Sequence, residues 1–428
     1  MRALGALLLL IVVVAAAVIV GAYVWPAPAL PKVTPVQPAP EVISRGQYIA
    51  TAADCIACHT VRGGAPFAGG RAFDLPFGTI YSTNITPDKA TGIGAWTDAQ
   101  FVRALRSGVA ADGTQLYPAF PYTSYHRMTD ADALALRAYL DSVPAAHAPA
   151  KPDPLAFPFD QRPLLRLWKL VFMPRGGPFA ADAHRDAQWN RGAYLVTTLG
   201  HCGECHTPRN LAYGMEGGQA LAGGTIQGWS AWNLTADPHH GLGKVGQAQL
   251  IEYLRYGYAP GLGGAGGPMR EAIDDSLSKL TDADLVAIAA YLKSVPAKAR
   301  GPTVGETPQA IVAGGPASPL GGAAPSPGQR IFEGACAGCH AWNGQGQVDA
   351  TATLAGLPAV NDPHALNVMQ TVLHGAASNS PEGHGWMPSF SAGYSNAEIA
   401  AVANYAVGRF GGVSGQASAR DVAKARAQ

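Results

Sequence analysis

Charge is scarce in this chain. Asp, Glu, Lys and Arg make up only 14% of the 428 residues, and 30 Lys+Arg against 29 Asp+Glu leave a formal net charge of +1. That balance excludes a nucleic-acid footprint or a polyanion-binding surface. Cysteine is also sparse, with six in all. There is no Rossmann glycine fingerprint opening a strand–helix unit, no P-loop and no cysteine framework for iron–sulfur clusters, so no dehydrogenase active site is expected in the chain itself. Beyond the N-terminus, no apolar run is long enough to span a bilayer.

Glycine (52) and proline (34) are plentiful, which predicts short helices joined by long ordered loops. The length allows two to four domains. Arg2 precedes an uncharged stretch from Ala3 to Trp25, and the next charge is Lys32. This is close to the ~20 apolar residues that cross a bilayer as a helix, and longer than a signal-peptide core. A lone Arg on the short side keeps that end in the cytoplasm. Residues 1–25 are therefore expected to form a single N-terminal anchor in the inner membrane, with the body of the chain on the periplasmic face. A signal cleaved after Ala27-Pro28-Ala29 is the other reading, and it exports the body equally.

All six cysteines belong to a Cys-x-x-Cys-His: Cys55 and Cys58 with His59, Cys202 and Cys205 with His206, Cys336 and Cys339 with His340. Two thiols three residues apart on a helical turn can each add to one vinyl group of the same haem, and the adjacent His then lies under the iron. Zinc would need two cysteine pairs brought together, and disulfides do not explain the histidines. The pattern predicts three covalent haem c groups with His59, His206 and His340 as axial ligands.

The flanks repeat as well. Arg45-Gly46-Gln47-Tyr48 matches Arg191-Gly192-Ala193-Tyr194, and more loosely Pro327-Gly328-Gln329-Arg330. Asn84-Ile85-Thr86 matches Asn233-Leu234-Thr235, and the helical stretch from Phe101 to Arg106 matches Leu250 to Arg255. Each copy ends in a capped helix start: Thr129 with Asp132, Thr281 with Asp284, Ser395 with Glu398. The expected fold is mainly α, with three tandem class I cytochrome c domains at 41–145, 187–297 and 327–411 following the transmembrane helix. Residues 146–186 form a linker with an apolar strap around Leu164 to Met173, and 298–326 a flexible Gly/Pro/Ala linker. Residues 412–428 are a polar, frayed tail. The strap carries Arg166, Trp168 and Lys169, which could lie near the membrane.

Methionine opposite the proximal histidine closes the iron and raises its potential. Met387, in the loop Gly385-Trp386-Met387-Pro388, and Met269, after Gly267-Pro268, precede the last helix of their copies and are expected as sixth ligands. The run from Gly261 to Gly267 carries no helix start after a strand and reads as a loop at the haem edge. The first copy departs from this. One offset of 149 aligns Leu254 with Leu105 and Asn233 with Asn84, and puts Met269 on Phe120, which cannot bind iron. Met128 and His126 are the nearby substitutes, and a five-coordinate iron is the third possibility; the sequence leaves these open. Without Met, the first haem lies at lower potential.

Gly63-Gly64, Asn84 to Asp88, Thr91 to Thr97, Leu116 to Ala119, Trp189 to Gly192 and the run from His201 to Asn210 together resemble the trihaem cytochrome c subunit of bacterial membrane-bound dehydrogenases. The resemblance covers the chain from about Glu41 to Phe410. It implies a periplasmic electron relay: a catalytic dehydrogenase subunit, whether molybdenum/iron–sulfur, quinoprotein or flavoprotein, passes electrons through the cytochrome to ubiquinone. Alcohol dehydrogenase cytochromes of this family carry Met where Phe120 stands, so the resemblance leans to the molybdenum aldehyde or N-heteroaromatic dehydrogenases. Two other classes compete: a cytochrome c subunit of a terminal oxidase, and a haem peroxidase using an open first haem with His126 and Arg127.

Overall fold

The computed structural model describes residues 2–304, 325–380 and 383–427. It comprises two compact units, Met1–Ala180 and Ala181–Gln428.

The first unit opens with α1 (Arg2–Val24), whose apolar stretch Ala3–Val24 is long and apolar enough to cross a membrane. At 1.5 Å per residue, its 23 residues reach about 34 Å, against a hydrocarbon core of about 30 Å. Then come α2 (Pro40–Ala52), α3 (Cys55–His59), the hairpin β1 (Ala72–Leu75) and β2 (Gly78–Tyr81), α4 (Asp98–Ser107), α5 (Tyr122–Tyr125), α6 (Asp130–Ser142) and α7 (Leu165–Phe172).

The second unit holds two further copies of the plan. The first has α8 (Ala187–Tyr194), α9 (Gly203–His206), the hairpin β3 (Gly224–Ile226) and β4 (Trp229–Ala231), and α10 (Gln247–Tyr256). The short pair β5 (Tyr258–Ala259) and β6 (Gly263–Gly264) leads to α11 (Gly267–Asp275) and α12 (Asp282–Ser294). The next has α13 (Pro327–Ile331), α14 (Ala337–His340), α15 (Leu366–His374), the hairpin β7 (Ala376–Ser380) and β8 (Gly383–Met387), α16 (Asn396–Ala406) and α17 (Ala419–Arg426). The sheets among the described residues are all two-stranded and antiparallel.

One contact recurs in all three copies. The first helix of each crosses the last at a glycine: α2 on α6, α8 on α12, α13 on α16. A Cβ on Gly46 would lie 1.9 Å from the Ala135 carbonyl oxygen, on Gly192 1.9 Å from that of Ala287, and on Gly328 2.1 Å from that of Ala401. The same glycines rest against the Cβ of Tyr139, Tyr291 and Tyr405. Only glycine allows backbones this close, which gives the repeated Arg-Gly and Pro-Gly its physical reason. Two of the crossings are clamped by an ion pair. Arg45 Nε donates to Asp132 Oδ1 at 2.7 Å, and Arg191 makes a two-pronged contact with Asp284 at 2.8 and 2.6 Å. The acids double as the third residue of the capping turns whose hydroxyls, on Thr129 and Thr281, accept from the backbone. Such caps contribute about 1 kcal/mol each. The third copy uses Ser395 and Glu398 in a full capping box.

The matched Asn-x-Thr turns are also structural. Asn84 and Asn233 are buried, each accepts from the Thr amide two residues on at 2.9 Å, and each donates to a distant carbonyl, Ala146 and Lys298.

Four expectations need correction. The tail beyond Gly412 is not frayed: α17 starts on a Ser418–Asp421 capping box and buries Val422 and Ala425 against α15 and α16. Arg426 ties it to the carbonyls of Ser391 and Tyr394. The glycine run after Pro260 is not a plain loop, since β6 and the start of α11 lie within it. Met387 ends a β-strand rather than sitting in a loop. The stretch expected as a linker at 146–186 belongs to the first unit as far as Ala180, where Arg162 binds Asp153 at 2.5 Å and the Gln115 carbonyl at 2.9 Å. Of the linker expected at 298–326, residues 305–324 lie outside the described residues.

Gly46→Ala is expected to destabilise the first unit by about 1–3 kcal/mol through overpacking at the crossing. Gly177→Ala, where nothing lies within 4 Å, is the control. Equal melting temperatures for the two variants would contradict the crossing.

Candidate functional site

Each Cys-x-x-Cys-His occupies a single helical turn, in α3 directly and in α9 and α14 with the first cysteine as the residue before the helix. Positions i, i+3 and i+4 share one helix face, so two sulfurs and one imidazole point the same way. None of the six cysteines is in a disulfide. Burial pushes the first thiol of each pair up: Cys55 well above its ordinary range, Cys202 to about 12 and Cys336 to about 11. Among the described residues, no three His, Cys, Asp or Glu side chains come together as a metal cluster.

The histidines are fixed identically. His59 Nδ1 donates to the Thr83 carbonyl at 2.7 Å, His206 Nδ1 to Trp232 at 2.6 Å and His340 Nδ1 to Ala352 at 2.6 Å. A carbonyl can only accept, so Nδ1 carries the proton and the Nε2 lone pair is the one left for a metal. Burial holds all three imidazoles below the usual histidine range and hence neutral, as a ligand must be. The supporting carbonyls follow the β1–β2 and β3–β4 hairpins in the first two copies. In the third the carbonyl comes from a 3₁₀ turn at Ala350–Ala352. Sequence reasoning found the histidines and missed these partners, because a backbone carbonyl has no residue-type signature.

A second glycine recurs in every copy, at the end of a helix. α4, α10 and α15 end on Gly108, Gly257 and Gly375, all with positive φ. The chain that follows folds back over this glycine in every copy. A Cβ there would meet the Tyr122 ring at 2.3 Å, Arg270 Nη1 at 2.5 Å and the Met387 carbonyl at 2.6 Å, respectively. Met269 directly precedes Arg270, so in two copies this returning segment carries a half-buried methionine. In the first it carries Phe120, packed edge-on against Tyr122 and Tyr125.

Met128 lies two residues before α6. It is 0% exposed, and its carbonyl accepts from Arg106 while Arg106 also pairs with Asp130. In the second copy Leu280, 3% exposed, has its carbonyl bound by Arg255, which pairs with Asp282. Met128 thus occupies the core position of Leu280. His126 is buried, with Nδ1 donating to the Thr123 carbonyl at 2.9 Å, and burial lowers its basicity.

Three paired-sulfur turns, each with a neutral imidazole presenting Nε2, define a c-type cytochrome. The Cytochrome c family profile matches residues 43–144 and 325–407, the first and third copies. The chain is 41% identical to the fructose dehydrogenase cytochrome subunit of Gluconobacter japonicus over 405 residues, covering 90% of this chain and 82% of that one. It is 37% identical to the cytochrome c subunit of alcohol dehydrogenase (quinone) of Gluconobacter oxydans over 402 residues, 90% and 82% of the two chains. It is 42% identical to a nicotinate dehydrogenase subunit of Pseudomonas putida over 376 residues, 86% of this chain; it spans 30% of that protein's length. The chain belongs to the cytochrome c subunits of membrane-bound dehydrogenases; it carries haem c and acts in electron transfer.

Met128→Leu is expected to leave the visible and near-infrared spectra unchanged and to cost less than about 1.5 kcal/mol, as a near-isosteric core exchange. Loss of a sulfur–iron charge-transfer band in that variant would overturn the placement.

Proposed function

We propose that the chain holds three covalent haem c groups, one per copy, on the periplasmic face of the inner membrane, anchored by α1. It would relay electrons from a catalytic dehydrogenase subunit to ubiquinone. The copies correspond to cytochrome domains at 41–145, 187–297 and 327–411. The observation that carries this reading is the threefold Cys-x-x-Cys-His turn with its carbonyl-locked imidazole. Haem c, when bound, supplies a one-electron iron centre in each copy.

The chain's own residues do the rest. Cys55 and Cys58, Cys202 and Cys205, and Cys336 and Cys339 are the attachment points, and His59, His206 and His340 present Nε2 to the metal. Met269 and Met387 are the sixth ligands of the second and third sites, supported by their place on the segment that folds over Gly257 and Gly375. The first site has no methionine: Phe120 stands where that segment would bring one, and Met128 is spent in the core. Its potential is therefore the lowest of the three.

The partner is of the molybdenum type that oxidises N-heteroaromatic or aldehyde substrates. Phe120 supports this, and a nicotinate dehydrogenase subunit is among the most similar relatives at 42% identity, beside the fructose dehydrogenase cytochrome subunit at 41%. The name of the alcohol dehydrogenase (quinone) relative supports a quinone as electron acceptor.

Two measurements test the reading. Met269→Leu and Met387→Leu should each lower one reduction potential in a redox titration and leave the other two in place; no change in either would remove those ligands. Purification of the native complex followed by cofactor analysis should find molybdenum in the catalytic subunit, and pyrroloquinoline quinone or flavin there would contradict the partner assignment.

A further inference from the structure

The third copy supports its imidazole differently from the other two. In the first two copies the carbonyl that accepts from the histidine, Thr83 or Trp232, follows a paired strand, β2 or β4, in a hairpin of the same copy. In the third it is Ala352, the last residue of a three-residue 3₁₀ turn, Ala350–Ala352, that belongs to no hairpin. The turn is capped by Asp349, whose Oδ1 accepts from the Thr351 amide at 2.8 Å and from Thr351 Oγ1 at 2.5 Å. Such short turns have poor hydrogen-bond geometry, so one on its own is a soft support for a ligand.

The missing stiffness comes from the second copy. Tyr258 Oη donates to the Ala350 carbonyl at 2.8 Å, across 92 residues of chain. The same carbonyl accepts from the Thr353 amide at 3.2 Å, so the phenol grips the turn at its first residue while His340 is held at its last. Tyr258 is itself firmly seated. It is 3% exposed, pairs with Gly264 across β5 and β6, and directly follows Gly257, the glycine on which α10 ends.

The surface around this bond is built for close approach. A Cβ on Gly263 would lie 2.8 Å from Leu357 Cδ1, and one on Gly264 2.5 Å from Ser378 Oγ, so β6 rests directly on the third copy. Ser230 of β4 and Asn367 of α15 exchange two hydrogen bonds, at 2.8 and 3.0 Å. The turn also touches the strand that carries Met387, because a Cβ on Gly385 would fall on Thr351 Oγ1. Three successive residues thus meet three different parts: Ala350 the second copy, Thr351 the Met387 strand, and Ala352 the histidine.

We propose that Tyr258 of the second copy is a positioning residue for the third site: its hydroxyl fixes the turn whose Ala352 carbonyl orients His340, and through it the second copy helps set the third site's reduction potential. This rests on the haem ligation by His340 proposed above. A carbonyl held firmly against Nδ1–H raises the basicity of the ring, which favours the oxidised metal. Loosening the turn weakens that bond, so the potential of the third site rises. The first and second sites carry their supports in their own hairpins and lie outside this control.

The test uses the full haem-loaded chain in a redox titration. The wave of the third site is the one displaced or lost in His340→Met. Tyr258→Phe keeps the ring and removes only the hydroxyl; Tyr256→Phe, at a residue 38% exposed, is the control. In Tyr258→Phe the third wave alone should move upward. The ratio of reduced to oxidised iron at a fixed poise should rise about threefold, less than the tenfold or more that loss of a direct partner of a ligating histidine costs. Deuterium exchange at His340 Nδ1–H, read by nitrogen-15 histidine resonances of the reduced chain, should quicken, with His59 and His206 unchanged. A third wave that stays put or falls, the same shift in Tyr256→Phe, or an equal gain in exchange at all three histidines would overturn the role of Tyr258. If His340→Met neither displaces nor removes a wave, the ligation by His340 falls and the role of Tyr258 with it. If it does, and Tyr258→Phe leaves that wave unmoved, the ligation stands and only the role of Tyr258 falls.

Discussion

Everything in this chain depends on how closely two helices can approach. In each copy the helix that leads into the cysteines crosses the last helix at Gly46, Gly192 or Gly328, with no room for even a methyl group. The crossing sets where the following turn emerges, and that turn carries two sulfurs and an imidazole on one face. A side chain at the crossing would displace the turn by the width of the added atoms, and interiors packed to crystal-like density do not absorb that. The ion pairs of Arg45 with Asp132 and Arg191 with Asp284 hold the angle in two copies. Among the described residues the third shows no such pair at its crossing and has a capping box and the extra helix Ala419–Arg426.

From that anchor the sites are built largely from backbone. Carbonyls of Thr83, Trp232 and Ala352 orient the imidazoles, and the helix-ending glycines Gly108, Gly257 and Gly375 let the returning segment pack closely over them. The plan is constant and the contents differ. Two returning segments carry methionine and one carries Phe120, and the proposed spread of potentials rests on that one difference in residue type. That is how one folding unit repeated along a chain can give a series of different potentials.

The cysteines, histidines and capped helices were legible in the sequence because local spacing dictates them. The glycine crossings were visible as matched motifs, but their reason lay in a helix some ninety residues away (Gly46 to Ala135). The offset of 149 pairs Gly108 with Gly257, the glycines that end α4 and α10, while the residues that cover them, Tyr122 and Arg270, are 148 apart. The C-terminal helix was missed because its apolar positions, Val422 and Ala425, are few and set among charges. Its Ser418–Asp421 cap was the available signal. The β-strand bearing Met387 was hidden by glycines, and the contact of Arg166 with Ala22 spans 144 residues that no local pattern connects.

The central claim is three thioether-linked haems on one polypeptide. Intact-mass analysis of the chain, produced in a host with working haem-attachment machinery and combined with a pyridine haemochrome assay, tests it directly. The account predicts a mass equal to the polypeptide plus three haems and a c-type haemochrome spectrum. A mass matching bare polypeptide, or fewer than three haems with the remaining cysteines alkylatable, would contradict it.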